Sequence, residues 1–168
     1  MKNGGFAISD SFSRPANTTA YASGDLVTND TTAGNVVPLE FPGVAARAGD
    51  AFSIDRVKIA KSGTTLTNAS FRLHLFSASP TSSAGDNAAF NSSEVLAVST
   101  VASYIGTFDV TIGKGGTAAA VGFGVPTTGD RIIESGTATV YGLIEARGAY
   151  TPASGETFTV TLQGLRAV

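Results

Sequence analysis

The sequence has no cysteine, no tryptophan, one histidine and one methionine, and only 14% of its 168 residues are charged. Without cysteine there can be no disulfide, zinc–thiolate site or thiol nucleophile, which is compatible with folding in a reducing compartment. A single histidine, His74, gives no imidazole pair at metal-ligand spacing, and no alternating Asp/Asn run ends in the Glu of a calcium loop. No Gly-x-Ser-x-Gly turn accompanies His74, so the nucleophile of a hydrolytic triad is missing. Gly113-Lys114-Gly115 lacks both the spaced glycines and the following Ser/Thr of a phosphate loop. Thirteen acids supply many carboxylate pairs, and sequence alone selects none as a glycosidase pair. The 11 basic residues form no cluster and the net charge is −2, so the footprint of a nucleic-acid binder is absent. No apolar run approaches the roughly 20 residues of a membrane span. Met1-Lys2-Asn3-Gly4-Gly5-Phe6 is not followed by the apolar stretch of a signal peptide. The expectation is a protein without catalytic, cofactor or metal residues, and without a nucleic-acid or membrane partner.

What is present is Thr, Val, Ser and 20 glycines, a composition suited to short strands and tight turns. Phe71-Arg72-Leu73-His74-Leu75-Phe76 alternates strictly, with Phe71, Leu73 and Leu75 on one face and Arg72, His74 and Phe76 on the other. His74 therefore reads as an outward strand residue. Tyr104–Ile112 alternates too, placing Tyr104, Gly106, Phe108, Val110 and Ile112 together. Thr157–Leu165 sends Phe158, Val160 and Leu162 inward. In Ala51–Lys61 the pairs Phe52/Ile54 and Val57/Ile59 have opposite parity. One extra residue near Asp55-Arg56 returns all four to one face, which predicts a β-bulge or a crossing between sheets.

Residues 137–145 are apolar on both faces, as expected of a central or covered strand. Val121-Gly122-Phe123-Gly124-Val125 has glycines that suggest close backbone approach or a bend. Weaker strands are read at 21–27, 36–41 and 94–101, the second an edge strand because of Pro38. The longest loop, 78–94, holds Asp86-Asn87-Ala88-Ala89-Phe90-Asn91. This reads as one helical turn, with Asp86 as N-cap and Phe90 anchored in the core, and Asp86-Asn87 and Phe90 read more simply as pinning the loop down than as functional. Residues 1–20 read as an N-terminal arm with Phe6, Ile8 and Phe12 as anchors, and more simply as a terminal strand plus coil than as an arm reaching a neighbouring subunit. The Asn-x-Ser/Thr sites at Asn17, Asn29, Asn68 and Asn91 read as accidents of a Ser/Thr-rich sequence.

About eight to ten short strands, separated by Gly/Pro turns and with no long helix, imply an all-β antiparallel sandwich. Its single domain covers 21–168. Eight main strands suit a jelly roll. An immunoglobulin-like sandwich is the alternative, although its Cys–Trp–Cys core is absent. So little charge is explained either by an ordinary Ser/Thr-rich surface or by one covered in an assembly.

The run Phe71–Phe76, Pro80 and Asp86–Phe90, together with Tyr141-Gly142-Leu143-Ile144-Glu145-Ala146 and Ala149–Thr157, resembles small structural proteins of tailed-bacteriophage virions. The likeness spans about 50–165 and is to head decoration, or cement, proteins. It implies a β-sandwich or jelly roll, made in the host cytoplasm and bound outside the capsid shell as a homotrimer. The partner would be the major capsid protein. On that resemblance Phe6, Phe12, Asp86, Asn87 and Phe90 are the interface candidates, and no side chain makes or breaks covalent bonds. The competing class is a carbohydrate- or receptor-binding module of a phage tail or fibre, which needs an exposed aromatic platform. A cupin-like epimerase would depend on histidines that the sequence lacks.

Overall fold

The computed structural model describes residues 3–90, 102–127, 132–134 and 136–167. Ten strands are found among them: β1 (Asn3–Ser13), β2 (Leu26–Val27), β3 (Leu39–Pro42), β4 (Phe52–Lys61), β5 (Ser70–Phe76), β6 (Tyr104–Gly115), β7 (Ala120–Gly124), β8 (Ile132–Glu134), β9 (Thr139–Ala146) and β10 (Thr157–Ala167). One 3₁₀ turn, Ala33–Asn35, is the only helical piece among the described residues. Every strand pairing is antiparallel. The chain is therefore all-β, as its alternating apolar pattern requires. The strand read at 94–101 lies outside the described residues.

The strands follow the order β1-β10-β4-β7-β6-β5-β9-β2, with β3 also on β9 and β8 on β4. This path curls until its two ends meet. Asp10, on β1, accepts a hydrogen bond at 2.7 Å from the backbone N–H of Glu40, on β3. A carboxylate thus bridges the seam where the backbone ladder stops. The core fills the inside of the curl, with Phe41, Ile54, Val57, Phe71, Leu73 and Phe108 fully buried. β3 pairs only with β9, in keeping with a proline beside an edge strand. The residues read as an arm include β1, which pairs with β10 along its whole length.

The bulge in β4 lies where parity places it. Gln163 pairs with Arg56 and Gly164 with Ile54, so Asp55 is the extra residue. Phe52, Ile54, Val57 and Ile59 are all buried as a result. A second bulge overturns the simple alternation of β6. Leu75 pairs with Gly106 and Phe76 with Tyr104, leaving Ile105 as the extra residue. Gly106 has φ +149°, a conformation that side chains with a Cβ rarely adopt. Tyr104 is therefore turned away from Phe108 and lies on the outer face against Phe76, with ring centroids 5.4 Å apart.

β9 is apolar on both faces because both are covered. Val140 and Ile144 enter the main core, while Leu143 belongs to a second cluster outside the sheet. At β7 the backbones crowd: a Cβ on Gly122 would strike the carbonyl of Thr111, and one on Gly124 that of Asp109. The β6 backbone thus comes too close to these two positions of β7 for any side chain there.

Gly122→Ala should cost about 2 kcal/mol or more in urea unfolding, since backbone must shift to admit the methyl group. Gly113→Ala is the control, as nothing lies within 4 Å of its would-be Cβ. That substitution should change stability by less than about 0.5 kcal/mol.

Candidate functional site

The 77–90 loop runs back over the outer face of β5 and β9 and is held there by one buried carboxylate. Asp86 accepts hydrogen bonds from Arg14 Nη2 at 2.8 Å, the Tyr21 hydroxyl at 2.6 Å and the Thr28 N–H at 3.0 Å. Arg14 Nε also donates to the Tyr21 hydroxyl. The Arg14 and Asp86 side chains are wholly shielded from solvent. Burial first, and then the hydrogen bond to Asp86, push the Tyr21 phenol far above its usual range.

Asp86 is therefore not the cap of a helical turn. Asn87 has φ +61° and donates its N–H to the carbonyl of Leu26, and Phe90 N–H reaches Gly24. These bonds dock the loop on β2 and the residues before it. Phe90 then completes a small apolar cluster with Leu26, Phe76, Ala84 and Leu143.

Beneath this loop His74 does face outward from the sheet, but it is only 7% exposed. Its ring lies 4.8 Å from that of Phe90. Nε2 is 2.8 Å from Glu145 Oε2, and Nδ1 is 3.1 Å from the Tyr104 hydroxyl. Glu145 Oε1 accepts from Arg147 at 2.8 Å. Burial pushes the Glu145 carboxyl upward, but the bonds from His74 and Arg147 outweigh it and hold the group below its ordinary value. Nearby, Arg72 grips Asp109 with two bonds of 2.7 and 2.8 Å. The second ring nitrogen of His74 meets a phenol, with no serine hydroxyl against it, and Phe90 covers the ring. The hydrogen bonds of the cluster tie β5, β6 and β9 together, and the loop adds Phe90 over the ring. Among the described residues no three acidic or histidine side chains converge as metal ligands, and no helix is long and apolar enough to cross a membrane.

Of the five sequence candidates, Asp86, Asn87 and Phe90 come together in this fastening. Phe6 and Phe12 lie elsewhere, on β1. Phe6 is buried opposite Gly164, and Phe12 stacks on Phe158 at 5.8 Å. Phe6, Asp86 and Phe90 are spent on internal packing and Phe12 and Asn87 are half-buried, so these side chains offer little free surface.

Among the described residues the exposed large apolar side chains are Val37, Leu66, Phe123, Val125 and Leu165, and two of them adjoin at β7 and its end. With Gly122 and Gly124 turned inward, Val121 and Phe123 point outward, and Val125 follows in the same phase. Phe123 is 54% exposed and Val125 62%. Arg56 lies over the Phe123 ring at 5.0 Å, Lys58 pairs in register with Phe123, and Lys114 with Val121. Shallow grooves beside the β6–β7 turn are lined by Ala60, Ala118, Ala119 and Val121 and by Thr157 and Thr159.

The same outer face continues over β10 and β1 with Thr157, Thr159, Thr161, Gln163, Ser9, Ser11 and Ser13. Ser9 bonds Thr161 at 2.9 Å and Ser13 bonds Thr157 at 2.8 Å. Those hydroxyls satisfy one another, which lowers the cost of removing them from water. None of these outward positions carries a carboxylate. The signal was the Val-Gly-Phe-Gly-Val spacing: glycines at alternate positions leave the large side chains on the other face.

No family model matches the sequence, and no curated protein matches it. Among solved structures, a chain of Desmodium yellow mottle tymovirus is 14% identical. That match covers all of this chain and 91% of the other, with a TM-score of 0.28. A protein of unknown function from Shewanella oneidensis is 12% identical, covering 96% of this chain and 87% of the other at a TM-score of 0.26.

Asp86→Ala leaves Arg14 charged, buried and unpaired, and should cost about 3–5 kcal/mol in chemical denaturation. The pair Arg14→Met/Asp86→Leu should recover most of that loss. Because the folded Glu145 value is depressed, its contribution is fully present above the ordinary glutamate value of about 4.3 and drains away as pH falls further. Glu145→Gln should therefore lower stability at neutral pH and flatten its decline below pH of about 4, read as urea midpoints against pH.

Proposed function

We propose that this chain is a virion structural subunit: a jelly-roll domain that binds the outside of a tailed-phage capsid as a homotrimer and stabilises the shell. The strand order supports the jelly roll. If β2 and β3 count as one interrupted strand and β8 as an insertion, the eight main strands run 1-8-3-6-5-4-7-2. The first four and the last four are the two sheets expected of a pair of Greek keys, joined here at the β6–β7 corner. The β-bulges at Asp55, Ile105 and Gly113 and the crowded glycines are devices that bend such a sheet.

The observation that carries docking is the outward apolar stripe of β7, bordered by Arg56, Lys58 and Lys114, with the carboxylate of Asp109 on β6 tied to Arg72. Beyond the Arg56 contact on Phe123, the exposed Phe123 on β7 and Val125 just after it gain little for the isolated chain, and apolar patches of this kind mark contact surfaces. Arg56, Lys58 and Lys114 around the stripe fit a partner that is apolar at its centre and acidic at its rim, as a capsid subunit could be. Internal pairing of Arg14, Lys61, Asp86, Glu145 and Glu156 removes charge from a surface that had little to begin with. A sugar-binding module has less support. Tyr21 and Tyr150 are buried and Tyr104 and Tyr141 half-buried, leaving no tyrosine platform.

Deleting residues 1–15 would strip β1 from β10, so surface substitutions are the cleaner test. Phe123→Ser/Val125→Ser should leave unfolding within about 0.5 kcal/mol of wild type. The same pair should lower occupancy of the chain on purified capsid shells at least about tenfold, a loss of roughly 1.4 kcal/mol per site. Unchanged occupancy would remove β7 from the contact.

A further inference from the structure

Lys61, the last residue of β4, points into the closed end of the core, and its side chain is shielded from solvent along with that of Glu156. Nζ lies 3.2 Å from Glu156 Oε1 and donates to the Gly63 carbonyl at 2.8 Å. The Tyr150 hydroxyl reaches both oxygens of the same carboxylate, at 2.8 and 2.6 Å. The Tyr150 ring lies 5.0 Å from the ammonium group. Gly63 closes the site, since a Cβ there would overlap the Glu156 carboxylate. An amine and a carboxyl group, the two partners of an amide, are thus held side by side and shielded from bulk solvent, with a phenol bonded to the carboxyl.

We propose that Lys61 and Glu156 condense to an intramolecular isopeptide bond, linking the end of β4 covalently to the residue before β10. The step needs no co-reactant. A proton passes from the Lys61 ammonium to the Glu156 carboxylate, giving a neutral amine and a carboxylic acid. The nitrogen lone pair attacks Cδ, forming the C–N bond. The C–O bond then breaks, and the departing oxygen leaves as water, taking the carboxyl proton and one proton from nitrogen. Tyr150 steadies the oxygens by hydrogen bonding throughout.

Three features favour the amide. The groups are pre-positioned, so little freedom remains to be lost. A buried ion pair carries a desolvation cost that a neutral amide escapes. Exclusion of water removes the reactant of the reverse reaction. Burial also pulls the Lys61 ammonium below its usual value, against the opposing influence of Glu156, which raises the share of reactive amine. Elsewhere in the chain the other buried acid–base pairs use Arg14 or His74, neither of which forms a stable amide.

The test is the mass of the purified full-length chain after prolonged incubation in neutral buffer, followed by denaturation and trypsin digestion. The expected chain is one water lighter than its sequence. Trypsin should fail to cut after Lys61, and one branched peptide should join the Lys61 segment to the Glu156 segment. Lys61→Met should return the chain to its sequence mass. If that variant does not fold, the branched peptide from the unaltered chain decides alone. A full-mass wild-type chain that is cut after Lys61 overturns the proposal and leaves an ordinary buried ion pair.

Discussion

Asp86 receives hydrogen bonds from three places: Arg14 beyond the end of β1, Tyr21, and the backbone of Thr28 beyond β2. Arg14 is 72 residues away in sequence, so a single carboxylate closes several long loops at once. The outer layer of the molecule depends on it. With Asp86 in place the 77–90 loop lies across β5 and β9, Phe90 covers His74, and Phe76 and Leu143 leave water. Without it, a buried guanidinium and a buried phenol lose their acceptor, and the loop keeps only weaker backbone bonds. A buried charge pair stabilises little against an apolar replacement, but losing one partner is costly. That asymmetry makes the arrangement specific: one loop position satisfies all the donors.

The consequence is a sheet used on both faces in one half and on one face in the other. Over β5 and β9 the outer face is roofed. Over β1, β10, β4 and β7 it is open, and there it carries hydroxyls that bond one another and an apolar stripe. Arg14, Lys61, Asp86, Glu145 and Glu156 are drawn inward, while the open face carries Arg56, Lys58 and Lys114 around the stripe. For a free monomer this is a poor distribution. For a subunit that spends its working life against a lattice it is economical, because every polar group removed from the contact lowers the desolvation cost of association. Repetition around a symmetry axis would then multiply modest contacts.

Much of the fold was legible because period-2 alternation is a local signal. Phe71–Phe76 and Phe158–Leu162 behave as their spacing requires, and even the bulge at Asp55 could be placed by parity. Three other features were not legible, each for a physical reason. The bulge at Ile105 preserves alternation on paper, so nothing in the sequence shows that Tyr104 changes face. His74 reads as exposed because the loop that covers it is fixed by Arg14, a partner no local pattern reveals. Asp86 has the residue type of a helix cap, and only long-range geometry shows it to be a buried acceptor. The β7 stripe was visible as glycine spacing, but its meaning needed the position of the β6 backbone.

Imaging of the assembled particle, at a resolution that traces strands, tests the central claim most directly. The account predicts density for this chain on the outer surface of the shell, with β7 and its neighbours facing the capsid subunit and the 77–90 loop away from the lattice. Particles without the chain, or with the β7 face open to solvent, would contradict it.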